Sequence, residues 1–217
     1  MGVEMVNTLL TVAFKYPPAN RVDNDIPKSI VSRLFNKYFH YSSNIDSIPK
    51  HKTIYVSNYV SDRFENFACI MIPNISIILG DTFVKTFKLH KVVCNLIARK
   101  PGKNQYDTVK KDIKTQYDSG SSVFAYIEEP STVIGDGIGR LRSGMFSIAK
   151  ELNITITPVV FDHIEYNKFG MIYNQNYRIK VGDSFYVQDV KESKYKVRKF
   201  FRDTLKQFKK KKFENIY

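Results

Sequence analysis

Several buried-looking apolar runs in this chain end in residues that can do chemistry. "IYVSNYVSDRFENF" passes from an apolar run into Ser57, Asn58 and Tyr59, with Asp62 and Glu65 downstream. "CNLIARK" ends in the cationic pair Arg99 and Lys100. "FAYIEEPST" runs into Glu128 and Glu129, then into a glycine-rich stretch over 133–139 and the cations Arg140 and Arg142. Carboxylates, cations and a glycine loop gathered at one edge would suit a phosphorylated ligand and proton transfer. Any one of these endings is weak, because buried strands routinely finish in polar residues.

The elements that must position these residues are read from hydrophobic periodicity. Runs at 53–57, 75–79, 91–98, 121–127, 154–161 and 177–181 are short, rich in Val and Ile and in several cases continuously apolar, as buried strands of a covered sheet should be. Between them, Tyr106, Val109, Ile113 and Tyr117 mark one face of a helix over 104–118. Met145, Ile148, Ala149 and Leu152 do the same over 140–152. Ile30, Leu34 and Tyr38 predict an amphipathic helix over 28–40. Strands alternating with helices predict an α/β fold with a mostly parallel sheet, which places ligands beyond the carboxyl ends of its strands. The expected organisation is one domain over 53–217, with a helical lead-in over 1–52 packed on it. The last helix, 191–212, carries Val197, Phe201, Leu205 and Phe208 on one face and Lys and Arg elsewhere. Its apolar stripe predicts docking, and its basic face suits anionic lipid.

The totals narrow the classes. With 217 residues, 43% hydrophobic and 25% charged, the chain can bury a sizeable core. The net charge of +13 points to an anionic partner, either an anionic phospholipid surface, a phosphorylated substrate or nucleic acid. Cys69 and Cys94 make neither a disulfide framework nor a zinc site, and buried thiols in a reducing compartment are expected. The start lacks the pattern of a signal peptide, and no apolar segment is long enough to span a bilayer. The expected location is cytoplasmic, peripheral on a membrane at most.

The order of the motifs is similar to that of the glycerolipid (lysophosphatidic acid type) acyltransferase family, over roughly 53–210. "IYVSNY" resembles that family's strand ending in Asn-His, with Tyr59 on the His position. "CNLIARK" resembles its apolar strand ending in Arg. "YIEEPST" loosely resembles Phe-Pro-Glu-Gly-Thr-Arg-Ser. "DGIGRLRSGMFSIAKELNITITPVVF" is similar to its basic-Gly-helix-strand block, and "YRIKVGDSFYV" to its late strand. The resemblance implies an acyltransferase-like α/β fold, no cofactor, and an acyl-CoA or another acyl thioester as co-substrate. It implies catalytic candidates at Tyr59, Asp62, Glu128 and Glu129. It also implies substrate contacts at Asn58, Arg99, Arg140 and Arg142.

The departures bear on activity. In the family, the His takes the acceptor's proton and an Asp, four intervening residues further on, orients it. Here those places hold Tyr59 and Phe64. A phenol titrates near 10 and is a poor base at neutral pH. Among the four histidines only His163 follows a strand toward the correct edge; His51 and His90 precede strands. The expected function is therefore an acyltransferase-fold protein that binds acyl or glycerophospholipid ligands, with lost or much reduced acyl transfer. The alternatives are an active lysophospholipid acyltransferase with an atypical site, using Asp62, Glu128, Glu129 or His163, and a basic nucleic-acid-binding protein. The last lacks a reader motif and ranks lowest.

Overall fold

Runs of β-branched residues bounded by polar turns form the strands, and helices fill the intervals between them. The computed structural model describes residues 39–43, 51–59, 74–80, 95–99, 102, 104–134, 137–164 and 175–214. In chain order its elements begin β1 (Phe39–Ser43), β2 (Ile54–Ser57), β3 (Ile75–Gly80) and β4 (Asn95–Arg99). Then come α1 (Gln105–Asp118), β5 (Ser122–Tyr126), β6 (Glu128–Ile134) and β7 (Ile138–Leu141). The chain continues through α2 (Gly144–Glu151), β8 (Thr155–Ile164), β9 (Gln175–Val181), β10 (Phe185–Tyr186) and α3 (Val190–Glu214).

The main sheet has the order β1-β9-β8-β2-β5-β3-β4, with β10 paired to β8. From β8 to β4 every pair is parallel. β9 and β10 run antiparallel to β8, and β1 runs parallel to β9. The fold is thus a single mixed α/β domain with a mostly parallel sheet and a C-terminal helix, as the strand–helix alternation predicts. β6 and β7 form a separate two-stranded hairpin.

One sheet face carries Ile54, Val56, Val123 and Ile97, which pack with Val109 and Ile113 of α1, Phe146 and Ile148 of α2, and Val197 and Phe201 of α3. The alternating positions Tyr55, Phe124 and Phe161 lie on the other face and are equally buried. Gly120 and Asn153, both at positive φ, turn the chain out of α1 and α2 into β5 and β8. Near the C-terminus, the buried guanidinium of Arg178 pairs with Asp162, donates to the Phe208 carbonyl and lies 4.9 Å from the Phe208 ring. This fastens the later turns of α3 to β8 and β9.

Several boundaries differ from the sequence reading. The helix expected over 140–152 begins at Gly144, because 138–141 belongs to β7. Of the glycine-rich stretch read as a loop, 133–134 and 138–139 belong to the strands of the β6–β7 hairpin, whose register shifts between Glu129 and Ile134. Residues 39 and 40, placed at the end of a lead-in helix, lie in β1. The remainder of that helix, and residues 91–94 of the third expected strand, fall outside the described residues. Among the described residues, no helix is long and apolar enough to cross a membrane.

Candidate functional site

Register decides which side chains meet at the carboxyl edge. Tyr55 of β2 pairs with Phe124 of β5, which is level with Ile77 of β3 and Leu96 of β4. Three residues further along each parallel strand stand Asn58, Ile127, Gly80 and Arg99. The strands therefore deliver Asn58–Tyr59, Glu128 and Arg99 to the same edge, neighbouring strands about 4.8 Å apart. The edge stays closed because Ile127 donates to the Ser57 carbonyl at 3.1 Å and Arg142 donates to the Ile127 carbonyl at 2.7 Å.

Asn58 is buried, and its amide acts as a piece of strand backbone. Its Nδ2 donates to the Phe161 carbonyl and its Oδ1 accepts the Phe161 N–H, both at 2.9 Å. The pairing of β2 with β8 is thereby carried one step past the last strand residue. Sequence reasoning assigned Asn58 to substrate; the geometry commits both ends of its amide to β8.

Glu128 is also buried, at 5% exposure. Its Oε2 accepts the backbone N–H of Tyr59 at 2.8 Å, and its Oε1 accepts the backbone N–H of Gly139 at 2.5 Å. One carboxylate therefore ties the end of β2 to the β6–β7 hairpin. Gly139 is required there, since a Cβ would meet the Glu129 carbonyl oxygen at 2.2 Å. Glu129, next in sequence, pairs with Arg142 Nε at 3.1 Å.

Tyr59 is half-buried, and its ring meets Tyr126 edge-on with centroids 5.5 Å apart. Tyr126 contacts Phe124 at 5.1 Å, and Phe124 contacts Phe161 at 6.2 Å, so the base of the edge is an aromatic wall. Arg99 is largely exposed, yet desolvation at the strand end, and then the nearby charge of Arg142, lower its pKa from the usual guanidinium value. Arg99 and Arg142 thus act on one another across the edge, with Glu129 as the acid that answers Arg142. Among the described residues, two guanidinium groups and one carboxylate give this part of the edge a net positive charge, which suits a phosphate.

The remaining expected residues are placed as follows. Asp62 lies outside the described residues. His163 is in β8, paired with Tyr177 at the same edge, and His51 is exposed at the opposite end of β2. Arg140 lines a pocket that does not include Arg99. With Thr132 it lines a pocket of about 470 Å³ whose other wall is Lys194, Tyr195 and Arg198 of α3, over a floor of Ile138 and Leu141. Arg198 donates to the Ile138 and Gly139 carbonyls at 3.0 Å each, fixing α3 to the hairpin. Sequence reasoning missed this pocket. Its visible signals were Arg140, expected as a substrate contact, and the pair Lys194 and Arg198, one helical turn apart.

With this geometry in place, comparison with known proteins places the fold. No family model matches the chain, and no curated protein matches it in sequence. Among solved structures it is similar to the 1-acyl-sn-glycerophosphate (LPA) acyltransferase PlsC from Thermotoga maritima, with a TM-score of 0.65. That match covers 94% of this chain and 89% of that one at 10% identity. The chain therefore has a glycerolipid acyltransferase-like fold, and its sequence is far from that neighbour.

Proposed function

We propose that this protein binds acyl or glycerophospholipid ligands at the carboxyl edge of its sheet and transfers acyl groups slowly or not at all. The observation that carries the reading is the make-up of the edge. It carries Arg99 and Arg142, but the end of β2 presents Tyr59, and Glu128, the acid that holds the Tyr59 N–H, is spent on two backbone N–H groups. Removing a proton from an acceptor hydroxyl needs a base poised near neutral pH. A phenol, whose ordinary pKa is about 10, is a poor substitute.

The positive spot of Arg99 and Arg142 would take a phosphate, and the aromatic wall would lie along an apolar chain. The basic face of α3 would rest on anionic phospholipid, so that the protein works peripherally at a membrane surface in the cytoplasm. No cofactor enters this reading; an acyl-CoA or another acyl thioester would be the acyl-bearing ligand. Acyl transfer from acyl-CoA to lysophosphatidic acid, compared between wild type and Tyr59→His, tests it. Trace or absent product from wild type, with retained binding to vesicles containing anionic phospholipid, supports it. Robust wild-type turnover would instead favour an active enzyme that moves its proton through a group other than a histidine at position 59.

A further inference from the structure

The adjacent acids at the start of β6 have unlike partners. Glu128 is buried and gives both oxygens to backbone N–H groups. Glu129 spends its charge on Arg142: its Oε1 accepts from the Nε at 3.1 Å, with 27% of its own side chain and 42% of that of Arg142 exposed. Both backbones are fixed. The Glu129 carbonyl accepts from Thr132 Oγ1 at 2.7 Å, and the Arg142 N–H donates to the Ile127 carbonyl at 2.7 Å. The ion pair can therefore open by side-chain rotation alone, without parting the strands.

The same guanidinium belongs to the positive part of the edge, where desolvation, and then the charge of Arg142, lower the Arg99 pKa. A carboxylate tethered beside a cation competes with a free anion at a high effective concentration. It also repels any second anion that tries to share the guanidinium. An exposed ion pair is weak on its own, so a ligand that engages two guanidinium groups at once can displace it.

We propose that Glu129 is a built-in competitor for the phosphate of the ligand: it holds Arg142 in the free protein and yields it when a phosphate engages Arg99 and Arg142 together. The inference rests on the reading of the carboxyl edge as a phosphate site. Glu129 then sets the affinity of that site through Arg142 and takes no part in proton transfer. Its removal should improve binding, the opposite of what a substrate-contacting acid would show.

The test titrates the full chain with glycerol 3-phosphate by calorimetry at physiological ionic strength. Wild type is compared with Glu129→Gln, Arg142→Gln and Asp118→Asn, and circular dichroism checks that all are folded. Gln keeps the shape and an acceptor oxygen of Glu129 but gives up its charge. Asp118→Asn removes another paired acid, 2.6 Å from Lys114, at the opposite end of the sheet. Glu129→Gln is expected to bind about three- to tenfold more tightly than wild type, and Arg142→Gln about tenfold more weakly. Asp118→Asn should stay within about twofold of wild type. Binding by Glu129→Gln where wild type is too weak to register supports the proposal equally. If Arg142→Gln weakens binding but Glu129→Gln does not tighten it, the competitor role fails and the phosphate site stands. Equal gains in Glu129→Gln and Asp118→Asn would overturn the role as well, because net charge alone would explain them. Binding that ignores Arg142→Gln, or no binding by any of the proteins, would overturn the role and the phosphate site together.

Discussion

Glu128 shows how little a residue type reveals until its partners are known. In the sequence it is one of two adjacent acids at a strand end, and a proton-transfer role was the natural expectation. In the fold both of its oxygens are occupied by backbone N–H groups from two different elements. Glu128→Gln keeps the volume but turns an amide NH₂ toward one of those N–H donors. The expected cost is about 1.5–3 kcal/mol, the range for a hydrogen bond to a charged group, read as a lower denaturant midpoint. Asn58 was legible as a motif residue, but its pairing with Phe161 was not, because that partner is 103 positions away and is a backbone group. Two phenols give a second test at this scale. Burial pushes Tyr55 up to about 12, and partial burial, followed by the hydrogen bond and charge of Glu151, pushes Tyr106 to about 12. A raised phenol favours the neutral form in the folded state. Its contribution to stability is therefore complete below the ordinary value near 10 and is lost as pH rises through 12. Near-ultraviolet phenolate absorbance and far-ultraviolet circular dichroism, followed together, should show late ionisation accompanied by unfolding. Tyr55→Phe should remove one late phenol from that titration.

At the scale of elements, the parallel strands were legible because buried strands must be short, branched and apolar. The helices were legible because α1 and α2 repeat their apolar residues at helical spacing. The β6–β7 hairpin was not, since Pro130 and the glycines at 135, 137 and 139 read as loop. Two-stranded edges tolerate such residues, and here a glycine is needed for close approach. Strand direction was equally hidden: nothing in the composition of 175–181 says that β9 runs against β8. β1, "FHYSS", has no branched residue to announce it. The hairpin also gives this scale its prediction. Gly139→Ala drives a Cβ into the Glu129 carbonyl, so the strands must part, moving Glu128 and the Arg142–Glu129 pair with them. The expected destabilisation is about 1–3 kcal/mol, as for other overpacked sites, measured by chemical unfolding. Ligand binding at the edge should weaken in the same variant.

For the molecule as a whole, fold and chemistry separate. A likeness at 10% identity that spans 94% of the chain shows that this sheet and its helices can be built from a very different sequence. Function must be argued from the site that the fold carries. The edge of the sheet carries Arg99 and Arg142, while the net charge of +13 favours anionic ligands and surfaces. What it lacks at Tyr59 is a group that ionises near neutral pH. Loss of a general base ordinarily costs about 10²–10⁴ in rate. The central claim is that this fold serves binding more than transfer, and it is tested most directly by the turnover of wild-type protein with acyl-CoA and lysophosphatidic acid. The account predicts product at or barely above the no-protein control, with Tyr59→His at or above the wild-type rate. Wild-type turnover at ordinary enzyme rates, about 1–10³ s⁻¹, would contradict it.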